Sequence, residues 1–426
     1  TEINVTMQQD LAQLEELVVV GYGTQKKGDL TGSVSVVDVE DLDRSVSTSL
    51  TDRLQGRVPG VTVITTGAPG AVGNIKIRGT SFFGDNYPLF VIDGVLTEDS
   101  PNLNPNDIES VQILKDASAS AIYGSRAANG VVVITTKKGK PGKTQVSASA
   151  KVGLQRIPGR IELTNAAEYS RISNAAHDNR GFDRMTKADV DFDPNVDTDW
   201  QEVMFSDQAL MQDFNVSLSS GGEKYSAFVS LNNAYTEGTI NGTLFDRVSG
   251  RVNTSFTPWK RLTIGQNLTV SRTRSSGINE LYESSLVHGV LTNLPIIPVY
   301  DPLKPNGYGY GELGVATCYV PNPVGQQDLL KDINWANRIL GNIYLDLEIF
   351  EGLKYRFSAG INTNFDHSKA YNPRYQIRMA SQEQSRLSES RGESTEVFIE
   401  NRLTYTKSFG DHEISAMVTH TEQEIN

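Results

Sequence analysis

Asp191, Asp193, Asn195, Asp197 and Asp199 alternate along a short stretch, and oxygen ligands at that spacing could hold a hard cation. A calcium loop also needs a glycine at its sixth position and a bidentate glutamate at its twelfth. Counted from Asp191, those places hold Val196 and Glu202, so only the glutamate fits and a solvated acidic loop is the better reading. Ser81 lies in Gly79-Thr80-Ser81-Phe82-Phe83-Gly84, one residue too long for the turn that exposes a nucleophilic serine. The histidines (His177, His288, His367, His412, His420) are far apart, lack metal-ligand spacing and include none placed to activate Ser81. Cys318 is the sole cysteine, which excludes an intrachain disulfide framework and a thiolate metal cluster. The sequence therefore offers no catalytic group, no metal site and no cofactor fingerprint, and it reads as a non-enzyme.

Binding signals are stronger. Leu17-Val18-Val19-Val20-Gly21-Tyr22-Gly23 is a β-branched run between Glu15-Glu16 and Gln25-Lys26-Lys27, so it can stay solvated until another chain pairs with it. Strand addition of that kind takes affinity from main-chain hydrogen bonds. A last strand of a small N-terminal domain explains the same residues equally well. A dinucleotide loop does not, because Lys26 stands at the third glycine position and no amphipathic helix follows.

The elements around these residues fall into two regimes. Residues 28 to 140 are Gly-rich, with short apolar runs at Val34 to Val37, Val61 to Ile64, Ile75 to Ile77, Leu89 to Ile92, Val111 to Leu114 and Val131 to Ile134. Asp116 to Gly124 has the Asp cap, small helix formers and closing glycine of a short helix. These features predict a compact α/β unit, with runs too short and irregular for a doubly wound sheet. From about Lys143 the apolar period becomes two, as in Ile343, Leu345, Leu347 and Ile349 answered across Glu351-Gly352 by Leu353, Tyr355, Phe357, Ala359 and Ile361. About nine strands follow from this pattern, near 144–154, 211–220, 223–236, 246–257, 260–273, 338–350, 352–366, 394–407 and 411–423.

A net charge of -12 with dispersed Lys and Arg argues for no nucleic acid partner. No apolar run reaches the roughly 18 residues of a spanning helix, but a transmembrane barrel hides its lipid face by alternation. Connection lengths separate a barrel from a soluble sandwich. Tight turns at Gly221-Gly222, Pro258 to Lys260, Glu351-Gly352 and Gly410-Asp411 alternate with long connections at 155–210, 274–337 and 367–393. Short turns on one side and long loops on the other are the habit of outer-membrane barrels. The alternative is a soluble β-rich carbohydrate-binding adhesin.

Ile75 to Gly79, Pro88 to Val95 and the long run from Asn106 to Gly139 closely resemble the SusC/RagA family of TonB-dependent outer-membrane transporters. Thr198-Asp199-Trp200-Gln201 also resembles the segment that family carries before its second barrel strand. The resemblance implies an α+β plug domain inside a transmembrane antiparallel β-barrel. On it, residues 1–16 end an N-terminal extension domain, 17–27 are the TonB box and linker, 28–140 the plug, and 141–426 the first part of the barrel. It implies TonB binding at Leu17, Val18, Val19, Val20, Gly21, Tyr22 and Gly23. It also implies a SusD-like surface lipoprotein, a nutrient that is an oligosaccharide or else a peptide, and a wall in contact with outer-membrane lipid. That family's barrel has about 22 strands, so about 13 (22 minus nine) are expected from sequence beyond this chain. The start at Thr1-Glu2-Ile3 reads as the interior of a longer precursor.

Three further expectations concern placement. Arg78 and Arg126 should hold the plug by pairing with lumen-facing carboxylates such as Asp346 and Glu348, unless each pairs within the plug. Phe82, Phe83, Asp85, Asn86 and Tyr87 mix aromatic and hydrogen-bonding groups and should face substrate, with the 274–337 loop and possible stacking at Tyr308, Tyr310 and Tyr319. Finally, Leu17 to Gly23 should be mobile and unpaired at rest, because Thr1 to Lys27 shows no second apolar strand for Val18 to Val20 to pair with.

Overall fold

The computed structural model describes residues 17–20, 23–26, 34–37, 39, 42, 47–79, 87–97, 102–116, 121–184, 193, 195–278, 285–311, 318, 320–377, 380–410 and 412–426. The first described element is a hairpin of β1 (Leu17–Val20) and β2 (Gly23–Lys26), Val18 opposite Gln25 and Val20 opposite Gly23. This corrects the expectation of an unpaired segment. Gly-x between two extended runs is the sequence of a two-residue hairpin loop, and Thr24-Gln25-Lys26, though polar, supplies the second strand.

The plug follows, with β3 (Val34–Val37), helix α1 (Leu50–Leu54), β4 (Val61–Ile64), β5 (Asn74–Ile77), β6 (Leu89–Ile92), β7 (Val95–Thr97), β8 (Ile108–Leu114) and β9 (Val131–Thr136). Five of these strands form one mixed sheet in the order β3-β8-β9-β6-β7, and β4 pairs with β5 apart from it. All six apolar runs are strands, because each is aliphatic or β-branched and too short for a helix. Of the stretch Asp116 to Gly124, where a short helix is expected, residues 117–120 lie outside the described residues; Ala121–Asn129 is a 3₁₀ stretch kinked at Gly124, whose φ of 72° lies in the left-handed region.

The rest is one antiparallel sheet of nine strands. These are β10 (Gly142–Gln155), β11 (Ala209–Gly221), β12 (Tyr225–Glu237), β13 (Leu244–Trp259), β14 (Leu262–Ser276), β15 (Lys331–Phe350), β16 (Leu353–Asn372), β19 (Arg386–Phe409) and β20 (His412–Ile425). The small pair β17 (Tyr375–Ile377) and β18 (Ala380–Gln382) lies in the β16–β19 connection. Among the described residues β10 and β20 are the free edges, so the sheet is an open wall.

Burial on this sheet is inverted. Asp213, Asn215, Asn232, Arg247, Arg251, Asn253, Asn342 and Asn362 are buried, while Phe214, Leu231, Val252, Ile264, Ile343, Ile361 and Val397 are exposed on the other face. A water-soluble sandwich buries its apolar face against a second sheet. Here the polar face packs on the plug and the apolar face looks outward, which excludes the adhesin and fits a lipid-facing wall. The outward apolar row on β16 runs from Tyr355 to Phe365, ten residues apart. At about 3.4 Å per residue and a 45° tilt it spans roughly 24 Å, a membrane's apolar band. Tyr225, Phe256, Trp259, Phe350, Tyr405 and Phe409 lie exposed beside the short turns, an aromatic girdle at one interface.

Candidate functional site

The plug is seated by buried polar groups. Asp93-Gly94 joins β6 to β7 with positive φ at both residues (49° and 94°), the geometry of a type I′ hairpin turn. That turn aims the Asp93 carboxylate at the wall, where it accepts from the Thr136 amide (2.9 Å) and hydroxyl (2.7 Å). Arg251 of β13 meets it at 3.3 Å, donates to the Thr136 hydroxyl at 3.0 Å and lies 3.6 Å from Asp107. Four residues along the same face, Arg247 is fully buried and donates to the Leu103 carbonyl (3.0 Å), Asn102 (2.8 Å) and Asn232 (3.2 Å). The plug contributes Arg53, 3.8 Å from Asp213 of β11. Neutral amides complete the seat. Asn342 donates to the Asp93 carbonyl at 3.0 Å, Asn104 to Asn215 at 2.9 Å, and Asn253 to the Lys137 carbonyl at 2.8 Å. Leu340 and Phe398 of the wall complete the two apolar cores of the plug.

The expected arginines fall elsewhere. Arg78, just after β5, pairs with Asp116, just after β8, inside the plug and is half exposed. Asp346 does face the lumen side but pairs with its wall neighbour Arg356 at 3.3 Å, which also lies over the Tyr344 ring. Arg126 does reach the wall, through the neutral amide of Gln423 on β20 rather than a carboxylate. The wall arginines carry the contact, and sequence reasoning missed them. Their signal was present: Arg247, Ser249, Arg251 and Asn253 alternate with Val248, Gly250 and Val252, which marks a polar face turned away from lipid.

Between plug and wall, near the long-loop end, lies a cavity of about 430 Å³. Tyr87 and Phe90 of the plug face Arg338, Asn362, Asn364, Thr273 and Ser394 of the wall across it, and Asn74 and Asn102 also line it. Arg338 is held by Asn362 (2.8 Å), while the buried Asn74 side-chain oxygen has no hydrogen-bond partner among the described residues. Of the expected substrate residues, Tyr87 lines this cavity; Phe82, Phe83, Asp85 and Asn86 lie outside the described residues. Among the described residues, the 274–337 loop reaches the cavity only through Ala336, already part of β15.

That loop is instead tied to the 155–210 loop. Helices α2 (Ala166–Arg180), α3 (Trp200–Met204), α4 (Leu286–Thr292) and α5 (Pro323–Leu329) bury Trp200, Met204, Leu286, Ile296, Ile297 and Cys318 in a core of their own. Trp200 donates to the Leu294 carbonyl at 2.9 Å, and Thr198 to Ile297 at 2.8 Å. The acidic run is consumed in building it. Asp197 accepts the Ala166 amide (2.8 Å) and Asp199 caps α3 through Gln201 (2.9 Å) and Glu202 (3.1 Å), while Asp191 lies outside the described residues. Tyr308 packs into this core and donates to Asp328 at 3.1 Å, burial and that carboxylate pushing its phenol up to about 12. It serves packing, as Tyr310 under Lys304 does on the surface, and Tyr319 lies outside the described residues.

A family profile described as TonB-dependent Receptor Plug Domain matches residues 26–131. TonB-dependent receptor P26 of Formosa agariphila is 35% identical over 380 residues, covering 87% of this chain and 37% of that protein. TonB-dependent receptor SusC of Bacteroides thetaiotaomicron is 31% identical over 395 residues, 85% of this chain and 38% of that protein. The chain thus spans well under half the length of these relatives. Among solved structures, the RagAB peptide importer in its open-open state superposes with a TM-score of 0.78 at 26% identity, over 96% of this chain and 49% of that one.

Proposed function

We propose that this chain, which belongs to the SusC/RagA-type TonB-dependent receptors of the outer membrane, works in TonB-driven import of a nutrient as plug and part of the barrel wall. The observation that carries the reading is the inverted sheet: apolar residues face lipid while buried Arg247 and Arg251 grip a folded domain in the lumen. A gate held by polar groups can open and reseat, because the same groups are solvated by water when it moves. Leu17 to Gly23 is the coupling segment, its β1–β2 hairpin offering a free edge to TonB.

The cavity above the plug is the substrate's inner station. Its amides and hydroxyls, with Tyr87 for ring stacking, suit an oligosaccharide, and a SusD-like lipoprotein on the loop core would deliver it. A peptide is the second reading, favoured by Arg338, which would receive a carboxylate, and by the likeness to a peptide importer. Binding of an oligosaccharide panel and a short-peptide panel to the intact receptor decides between them. Tyr87→Ala should weaken the true ligand about fivefold, the loss of one stacked ring. Uptake and affinity unchanged for every ligand, in Tyr87→Ala and in Phe82→Ala/Tyr87→Ala, would remove the site from the pathway.

A further inference from the structure

Gly250 is a lipid-facing position without a side chain. It lies between exposed Val248 and Val252 on β13, opposite Leu231 of β12 and Val270 of β14. The gap continues past Ile339 to Phe365, giving a shallow groove of about 620 Å³ on the outer face of the wall. Its apolar lining ends at Arg272 and Asn337, which face each other across β14 and β15 at the border nearest the long loops. Arg272 is exposed, with no ion pair or hydrogen bond among the described residues, and Arg274 follows on the same face, also exposed.

A groove at membrane depth is filled by whatever apolar chain the solvent supplies, and at that depth the solvent is acyl chains. A cation at its polar border adds a preference for a charged head, because guanidinium and phosphate oxygens form charge-assisted hydrogen bonds. We propose that this groove is a binding site for a phosphorylated, multiply acylated lipid of the outer leaflet, one acyl chain lying over Gly250 and the phosphate resting on Arg272. Bulk lipid alone explains the apolar lining but leaves an unpaired arginine at its mouth unaccounted for. A second copy of the chain would bring another apolar face, with nothing to neutralise Arg272.

The intact receptor, purified from outer membranes in mild detergent and stripped of lipid, is titrated with monophosphoryl lipid A and with its dephosphorylated form, and bound mass is read by native mass spectrometry. One molecule should bind, the phosphorylated form about tenfold more tightly. Arg272→Gln should abolish that difference while sparing the acyl contribution. Gly250→Leu should weaken both forms by filling the groove; a Cβ there meets only the Leu231 Cδ2 methyl at 3.3 Å and the Ser230 carbonyl at 3.8 Å, so the wall accommodates it. Val418→Leu, elsewhere on the lipid face, is the control, and heat-modifiable migration reports folding of each variant. Equal affinity for the two lipids in the wild type, identical binding by both variants, or a dimer in place of a lipid adduct would overturn the site.

Discussion

Arg251 shows how much of the plug's attachment rests on single side chains. It is buried with Asp93 and Asp107 within reach and the Thr136 hydroxyl as a further acceptor. Removing one member of such a group strands charge out of water, which costs about 3 to 5 kcal/mol, whereas removing the whole group costs much less. Arg251→Met should therefore unseat the plug, measured as ion conductance through the receptor in planar bilayers, and Asp93→Asn with Asp107→Asn in the same chain should recover most of the seal. No recovery would mean that the arginine acts by shape rather than charge. A second residue responds to pH. Burial pushes the Asp52 carboxyl above its ordinary range, against the weaker pull of the Ser47 and Thr65 hydroxyls. A raised value means that the fold favours the protonated acid, so its stabilisation is present at low pH and is lost as pH rises through the folded value. Hydrogen exchange in α1 should thus be slower at pH 4 than at pH 7 relative to intrinsic rates, and Asp52→Asn should flatten that dependence. The polar face that holds Arg247 and Arg251 was legible as alternation. Their partners were not, since no local pattern says which plug turn will dock more than a hundred residues away in sequence.

Among the elements, strand positions were readable and strand lengths were not. The alternation placed all nine wall strands, yet β15 begins at Lys331 rather than near 338, and β19 at Arg386 rather than near 394. Both additions lie at the long-loop end, and their sequences, Lys-Asp-Ile-Asn-Trp-Ala-Asn and Arg-Leu-Ser-Glu-Ser-Arg-Gly-Glu, carry polar residues on both faces. Beyond the apolar band water baths both sides, so nothing forces a period of two. The β1–β2 hairpin makes the complementary point: a strand as polar as Thr24-Gln25-Lys26 leaves no hydrophobic signature, and only its spacing from Val20 betrays it. Two-stranded hairpins are marginal in water, so this one can open at low cost. With two residues between them, Val20 and Gly23 form the closing hydrogen-bonded pair, so Val18 bonds inward and Val19 presents its N–H to the free edge. Val19→Pro should then abolish uptake with ligand binding intact, by removing a donor from the added TonB strand. Val18→Pro should break the hairpin instead and retain more uptake than Val19→Pro. Equal uptake by the two would show that hairpin edge and hairpin integrity are not separable in coupling.

For the molecule as a whole, the question is which part of the plug leaves the wall when the chain is pulled. An open sheet edge in lipid strands unpaired N–H and C=O groups, so β10 and β20 need neighbours and the wall must close around the plug with further strands. Inside such a closed wall, a pull from the N-terminus acts first on the least stable contacts. The β7 side of the plug is the firmest candidate to stay. Val95 is buried against Gly360 of β16, so close that a Cβ on Gly360 would meet the Val95 Cγ2 methyl at 3.0 Å. Replacing that methyl by sulfur gives the approach that a disulfide requires, and Cys318, the sole native thiol, is buried and out of reach. Val95→Cys with Gly360→Cys therefore should oxidise to a single plug–wall crosslink. If β6 and β7 stay seated while the β1 to β5 region is drawn out, the oxidised receptor imports at close to the wild-type rate. If the plug must leave as one body, oxidation stops uptake, reductant restores it, and ligand binding is the same in both states. The arrangement of contacts favours the first outcome: Asp93, Thr97 and Thr136 of the β6, β7 and β9 side are anchored by Arg251, Arg338, Asn342 and Asn362, with Arg251 3.3 Å from Asp93, whereas the ionic wall contact described for the β1 to β5 side is the longer pair of Arg53 in α1 with Asp213, at 3.8 Å.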